Sequence, residues 1–443
     1  MLPIDFHIQR RKALLDKMLP NSVCVIPGAQ LQTRSRDTEY AFRQDSDFWY
    51  LTGFHEPDAW LILSNSADYD GEYALLACLP KDEHAEIWHG RRIGVDAVPD
   101  LYGIDDACEV DQVDWALHDI VNGHDNLYFA SGHFAPADEL IFSVLDKLRT
   151  APKQTKTAPS TIIDVRGILH EMRLFKQPDE VTVMQRAATI SAQAHCRAMQ
   201  AVSTSQFEYQ LEATLHHEFA VQGARFPAYS SIVGGGENAC ILHYTENSAE
   251  LHSGDLVLID AGAELHGYAA DITRTFPVSG RFSDAQAQVY QCVLDSQLAA
   301  LDHLKPGSTI AQAMHACLTV LTQGLIKMGI LSGEVEDLIQ NKAYQPFFMH
   351  GLGHWLGLDV HDVGDYKIDG QDRPLQPGMC MTVEPGLYFS PTAEVPEQYK
   401  GIGVRIEDDI LITDDGHRVL TAGVPKTIAE VEALVSRGIE ALD

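Results

Sequence analysis

The sequence predicts an α+β protein of two domains, an N-terminal α/β domain over residues 1–172 followed by an α+β domain over residues 173–443. Three observations predict it. The chain has 443 residues, more than one domain usually holds. Up to about residue 172, short strand-like runs alternate with helix-like ones. Beyond that point long helical periodicities take over, with strand pieces between them.

The elements follow in order. The first eighteen residues place Asp5 early and the basic residues late, the reverse of a secretory signal, and read as an amphipathic helix. Val23 to Ile26, Trp60 to Leu63, Tyr73 to Cys78 and Leu127 to Phe129 read as strands, and Phe142 to Leu148 as the end of a helix. The polar stretch Arg149 to Ser160, with Pro152 and Pro159, reads as a linker or a surface loop. Ile162 to Val165 then reads as a strand and Ile168 to Leu174 as a connecting helix, which sets the domain boundary. Pro178, Asp179 and Glu180 start a helix that runs to about Val202, since proline and acidic residues suit a first turn. Further helices cover Phe207 to Gln222, Asp284 to Leu304 (stopped by Lys305-Pro306-Gly307) and Thr309 to Met328. Strand pieces lie at Ser231 to Gly234, in a hairpin near residue 265, at Met379 to Glu384 and at Val404 to Ile412.

Composition excludes several functions. With 63 acidic and 32 basic side chains the net charge is −31, so neither a nucleic-acid backbone nor an anionic membrane surface finds a basic face. No apolar stretch approaches the roughly 20 residues that span a bilayer. Eight cysteines at 24, 78, 108, 196, 240, 292, 317 and 380 form no Cys-x-x-Cys pair. That pattern is expected of reduced thiols in a cytoplasm.

The chemistry concentrates in the second half. Asp260 ends the apolar run Leu256 to Ile259, Asp271 precedes the β-branched run Ile272 to Phe276, and no lysine or arginine stands between them. A turn centred between Leu265 and His266 makes the two aspartates a directly opposed cross-strand pair, with Cβ atoms about 4.5–5.5 Å apart. Buried, such a pair shares a proton or holds a cation; exposed, it is a solvated face. Three later segments hold further polar groups: His350-Gly-Leu-Gly-His354 with His361, Met381-Thr-Val-Glu384-Pro-Gly-Leu-Tyr388, and Arg405-Ile-Glu407-Asp-Asp409. Arg405 and Glu407 alternate with Val404 and Ile406 and so share one strand face. Four carboxylates and an imidazole suit hard or borderline divalent ions such as Mn²⁺, Co²⁺ or Mg²⁺, and their charge exceeds what one ion neutralises. The Gly-Leu-Gly between His350 and His354 argues against a helical zincin motif.

The order of these motifs resembles the pita-bread metallopeptidases, and among them the Xaa-Pro aminopeptidases, over nearly the whole chain. In the N-terminal part the resemblance rests on Gln44-Asp-Ser-Asp-Phe-Trp-Tyr-Leu-Thr-Gly-Phe54 and Glu86-Ile-Trp88-His-Gly-Arg-Arg92. Later it rests on Glu237 to Tyr244, Asp260-Ala-Gly, Asp271-Ile-Thr-Arg and the three segments above. The resemblance implies a creatinase-like N-terminal domain and a pita-bread catalytic domain. It implies metal ligands Asp260, Asp271, His354, Glu384 and Glu407, with Asp271 and Glu407 bridging two divalent ions, manganese first and cobalt or zinc as alternatives. A hydroxide between those ions would cleave the bond preceding a proline in the second position of a peptide. Catalytic support is implied for His243, His350, His361, Glu384 and Arg405. Substrate binding is implied for Tyr388 and, at a neighbouring subunit's site in a homotetramer, for Trp88 and Asp37. The departures are Gly353, where a relative has serine, and the stretch after Gly364. A prolidase, a dipeptidase on the same scaffold, is the rival reading.

Overall fold

A computed structural model describes residues Leu2 to Glu440, and the chain divides into two compact units, the first ending at Met172 and the second beginning at Arg173. The first is built on a six-stranded mixed sheet in the order Asp106–Glu109, Tyr73–Cys78, Trp60–Ser64, Ser22–Pro27, Asn126–Tyr128, Thr161–Ile163. Ser22–Pro27 lies inside, antiparallel to Trp60–Ser64 and parallel to Asn126–Tyr128. Its unbroken apolar run is what a strand covered on both faces requires. Helices Val113–Val121 and Ala135–Arg149 seal one face, packing Leu117, Ile120, Ile141 and Leu145 on Val23, Val25 and Ile62. The stretch 149–160 is a loop within this unit, with one 3₁₀ turn at Pro152–Gln154 before the chain rejoins the sheet.

The second unit is organised by two long, interrupted hairpins. In the first, Leu256–Asp260 pairs with Thr273–Pro277 and Ala263–Leu265 pairs with Tyr268–Ala269, in one continuous register. The turn is His266-Gly267, with φ of 52° and 86°. Positive φ at both positions gives the type I′ turn that matches strand twist. This corrects the expected register. The turn centre falls one residue later than the sequence reading placed it, so Asp260 opposes Thr273 rather than Asp271. Asp271 lies two residues from Thr273, on the same face as Asp260 and diagonal to it. Between the ladders Gly262 passes so close to the opposite strand that a Cβ there would sit 1.6 Å from the Ala270 carbonyl oxygen.

The second hairpin pairs Cys380–Val383 with Asp408–Ile412 and Gly386–Phe389 with Ile402–Arg405. Again the register runs through the gap, placing Glu384 opposite Glu407, and Ile406 N donates to Pro385 O at 3.2 Å. Val404 to Ile412 is therefore two strands, not the single one expected. Pro385 has no N–H to continue the ladder.

Helices cover the outer faces. Pro178–Ala201 and Glu208–Val221 contact the first hairpin and the strand Ile232–Gly235 beside it, and Ile428–Glu440 packs on Pro178–Ala201. Asp284–Leu301 and Ile310–Lys327 form a helical pair on the second. Val289, Val293 and Leu321 share a core with Met381, Val383, Val404 and Ile406. Because strand side chains alternate, burying Val383 and Ile406 toward the helices turns Glu384 and Glu407 to the opposite face. The helix Asp284–Leu301 starts at a capping box, with Ser283 N donating to Gln286 Oε1 at 2.9 Å and Gln286 N to Ser283 Oγ at 3.3 Å.

Candidate metal centre and active site

The inner faces of the two hairpins meet around a cavity of about 580 Å³ in the second unit. Its wall includes Asp260, Asp271, His354, Glu384 and Glu407, together with His243, His350, His361 and Arg405. All nine were singled out from sequence, and the fold gathers them from five separate segments. Single donor atoms of Asp271, His354 and Glu407 all lie within 4.8 Å of one another. His354 Nε2 stands 3.4 Å from Asp271 Oδ2 and 3.7 Å from Glu384 Oε1.

The donors suit a cation. His354 Nδ1 bonds to the Trp355 carbonyl oxygen at 3.0 Å. That carbonyl can only accept, so Nδ1 carries the proton and donates it, which leaves the Nε2 lone pair facing the carboxylates and free for a cation. His354 N donates to Thr382 Oγ1 and Thr382 N to His354 O, which fixes the loop to the second hairpin. His350 and His354 lie on irregular backbone, not on a helix.

Charge points the same way. Four carboxylates face one guanidinium, that of Arg405, whose Nη2 donates to Asp260 Oδ2 at 2.6 Å. Burial acts to raise Asp260, but the Arg405 charge and the bonds from Tyr229 and Arg405 hold it below the usual carboxylate range. Asp271 is pushed up by burial and by the charge of Asp260. Glu407 is driven well up by burial, Asp271 and Glu384. Burial takes Glu384 up to about 7, against the pull of His354 and Arg405. His354 rises to about 9 because its bond to Asp271 and the charges of Asp271 and Glu384 outweigh burial. A site that retains protons on adjacent buried donors is one where divalent cations take their place.

The remaining groups brace these donors. Arg405 Nη1 donates to Tyr388 Oη at 3.0 Å, and Tyr388 Oη bonds to His350 Nε2 at 2.8 Å. Burial, then the Arg405 charge, lowers His350 to about 4; burial, then His354, also lowers His361. Both imidazoles are therefore neutral near pH 7.

Three braces escaped the sequence reading. Tyr229 Oη lies 2.6 Å from Asp260 Oδ1 and 2.5 Å from Asp271 Oδ1, a single hydroxyl between two carboxylates. Thr273 Oγ1 donates to Glu407 Oε2 at 2.6 Å and accepts from Arg405 Nε at 3.0 Å. Asp409 accepts from Asp271 N at 3.2 Å. Asp409 stood in a recognised motif without a role, and Thr273 becomes visible once the hairpin register is right. Nothing near Tyr229 in sequence marks it. Trp88 and Asp37 belong to the first unit, Trp88 on the short helix Glu83–His89 and Asp37 in a turn, and both side chains are exposed.

Two interrupted hairpins with a carboxylate-rich centre between them, in a chain that also carries a separate α/β unit, define a metallohydrolase of the pita-bread class. The description of metallopeptidase family M24 matches residues 182–414, and that of the aminopeptidase P N-terminal domain matches residues 7–128. The chain is 53% identical over 429 residues to an Xaa-Pro aminopeptidase of Escherichia coli, covering 96% of each, and 47% identical over 435 residues to one of Haemophilus influenzae, covering 98% of each. Among solved structures, zinc-substituted E. coli aminopeptidase P in complex with product superposes with a TM-score of 0.96 at 51% identity, covering 99% of both chains. The chain belongs to metallopeptidase family M24, as its motifs led us to expect.

Proposed function

We propose that the protein is an aminopeptidase that removes the first residue of peptides with proline in second place, and that it works with two divalent ions, manganese foremost. The observation that carries this reading is the convergence of Asp260, Asp271, His354, Glu384 and Glu407 on one cavity that three neighbouring histidines also line. Near-full-length identity to enzymes named for this bond supports the substrate class.

Asp271 and Glu407 would be shared between the ions, Asp260 would serve one, and His354 with Glu384 the other. When bound, the ions supply a water made acidic near neutral pH and a Lewis acid for the scissile carbonyl. His243 or His361, which both line the cavity, would donate a hydrogen bond to the oxygen that becomes negative. Glu384 would take a proton from the attacking water and return it to the departing proline nitrogen. An Xaa-Pro bond has no N–H, so the ring must be read by shape, which an apolar wall with Ile232 and Leu242 allows. Arg405 keeps Asp260 ionised and, through Tyr388, fixes His350.

We place the enzyme in a cytoplasm, which eight free thiols support, and no helix among the described residues is long and apolar enough to cross a membrane. We further propose a homotetramer in which Trp88 and Asp37 serve a neighbour's substrate site; the 74% exposure of Trp88 supports it. The deciding experiment assays an Xaa-Pro-Yaa tripeptide against an Xaa-Pro dipeptide after chelation and re-addition of single metals. Tripeptide cleavage restored by manganese is expected. Cleavage of the dipeptide alone would make it a prolidase, and activity that survives complete chelation would end the metal reading.

A further inference from the structure

We propose that Glu208 is a positioning residue for His243, an inference that rests on the reading of His243 as a group acting on substrate. Glu208 opens the helix Glu208–Val221 and is wholly buried. Its carboxylate takes four hydrogen bonds from one connection. Oε1 accepts from Gly235 N at 2.8 Å and from Asn238 Nδ2 at 3.0 Å, and Oε2 accepts from Tyr244 Oη and Ala249 N, each at 2.8 Å. These donors lie on both arms of the segment 235–249, and the apex carries Leu242, His243 and Thr245 into the cavity wall. Tyr244 is the immediate neighbour of His243.

The segment has few regular contacts of its own. A 3₁₀ turn covers Gly236–Cys240, and residues 241–249 have no ladder. Beside Glu208, Asn247 closes the base, with Oδ1 accepting from Val233 N and Nδ2 donating to Ser231 O, each at 2.9 Å. One charged group thus satisfies donors that would otherwise be buried without partners, and it does so at both ends of the segment that aims the imidazole. Glutamine at this position keeps the shape but turns one acceptor into a donor facing donors, so one arm must move.

The test combines Glu208→Gln with His243→Ala and, separately, with His361→Ala, in the metal-loaded enzyme. Glu208→Gln is expected to retain its metal and lose about tenfold in kcat, a fraction of what a single oxyanion donor supplies. In the His243→Ala background the same change should alter kcat by less than about twofold, because residues acting as a unit are not additive. In the His361→Ala background the full loss should persist. An equal loss in all three backgrounds, or wild-type kcat for Glu208→Gln, overturns the proposal. Wild-type kcat for His243→Ala alone overturns the parent reading first, and is recognised from that single variant. If Glu208→Gln does not fold, Tyr244→Phe, which removes one of the four bonds, should show the same vanishing loss at about threefold amplitude.

Discussion

Replacing Asp362 by asparagine should uncover how strongly the loop behind His361 is held. Asp362 Oδ1 accepts from Arg173 Nη2 at 2.6 Å and Oδ2 from Lys176 Nζ at 2.8 Å, and all three side chains are 3% exposed or less. Asp362 N also donates to Trp355 O at 2.9 Å, next to His354, a proposed ligand. With charge centres about 4 Å apart and an effective dielectric near 20, each attraction is worth roughly 4 kcal/mol before solvation is counted. Removing these ions from water offsets much of that. What asparagine reveals is the uncompensated remainder, about 3–5 kcal/mol for a buried pair that loses one member. Arg173 keeps Asp359 at 2.7 Å, but Asp359 is 39% exposed, so that contact is screened and contributes about 0–1 kcal/mol. Asparagine preserves volume, so no cavity term enters. For a unit of this size the expected drop in melting temperature is about 6–20 °C. Calorimetry of the metal-loaded protein at pH 7 would measure it. Burial works to raise the Asp362 carboxyl, but Lys176 and Arg173 hold it below its usual range. Its contribution is therefore present above the unfolded value of about 3.9 and is lost as pH falls through the lower folded value, so variant and wild type should converge only in strong acid. A variant melting within about 2 °C of wild type at pH 7 would refute the reasoning, since the desolvation cost would then cancel the pairing.

Three further outcomes are expected. Glu407→Ala should abolish peptidase activity and lower the metal bound per chain, read by elemental analysis; an active variant with full metal would remove Glu407 from the ligand set. Tyr229→Phe should weaken metal binding by roughly 10–100-fold, because the hydroxyl that orients Asp260 and Asp271 is gone; unchanged affinity in a metal titration would make that hydroxyl incidental. His7, lowered to about 4 by burial against its bond to Tyr50, stays neutral in the fold while the unfolded chain protonates near 6.5. Stability should therefore fall as pH drops from 6.5 toward 4, by on the order of 2–3 kcal/mol from this group. In His7→Gln the slope of stability with pH over that window should lose that contribution, and an unaltered slope in denaturant titrations would count against it.

Long helices and apolar strands were legible because each buries one face and repeats at its own period. Cys380–Val383 and Asp284–Leu301 fall where the pattern placed them. The strand Asp106–Glu109 was not, because it is an edge strand with no fully buried position and its Asp-Ala-Cys-Glu carries no alternation. The register of the first hairpin slipped by one step because the turn residues are His266-Gly267 rather than an asparagine or aspartate before glycine. Gly267, at the second central position, was the usable signal. The residues proposed as ligands could be singled out through a family resemblance and by residue type. Tyr229 could not, since its hydroxyl acquires meaning only from what lies within 3 Å of it.

The two interruptions explain why the carboxylates converge. Glu384 and Glu407 oppose each other across the gap in one hairpin, and Asp260 and Asp271 are diagonal across the gap in the other. Each hairpin then braces a proposed ligand on its partner. Arg405 reaches from the second hairpin to Asp260 on the first, and Thr273 reaches from the first to Glu407 on the second. Arg405 Nε donates to Thr273 Oγ1, so the two braces are one network. Thr273 is wholly buried, and valine would fill its space without the hydroxyl. Thr273→Val should therefore leave the fold intact, strip one charge-assisted bond worth about 1.5–3 kcal/mol from Glu407, and free Arg405 Nε. Metal affinity should fall by roughly 10–100-fold. Combined with Arg405→Lys, the loss should be less than the product of the two single losses, because both changes open the same network. Independent, multiplying losses in metal titrations would show that the hairpins hold their ligands separately.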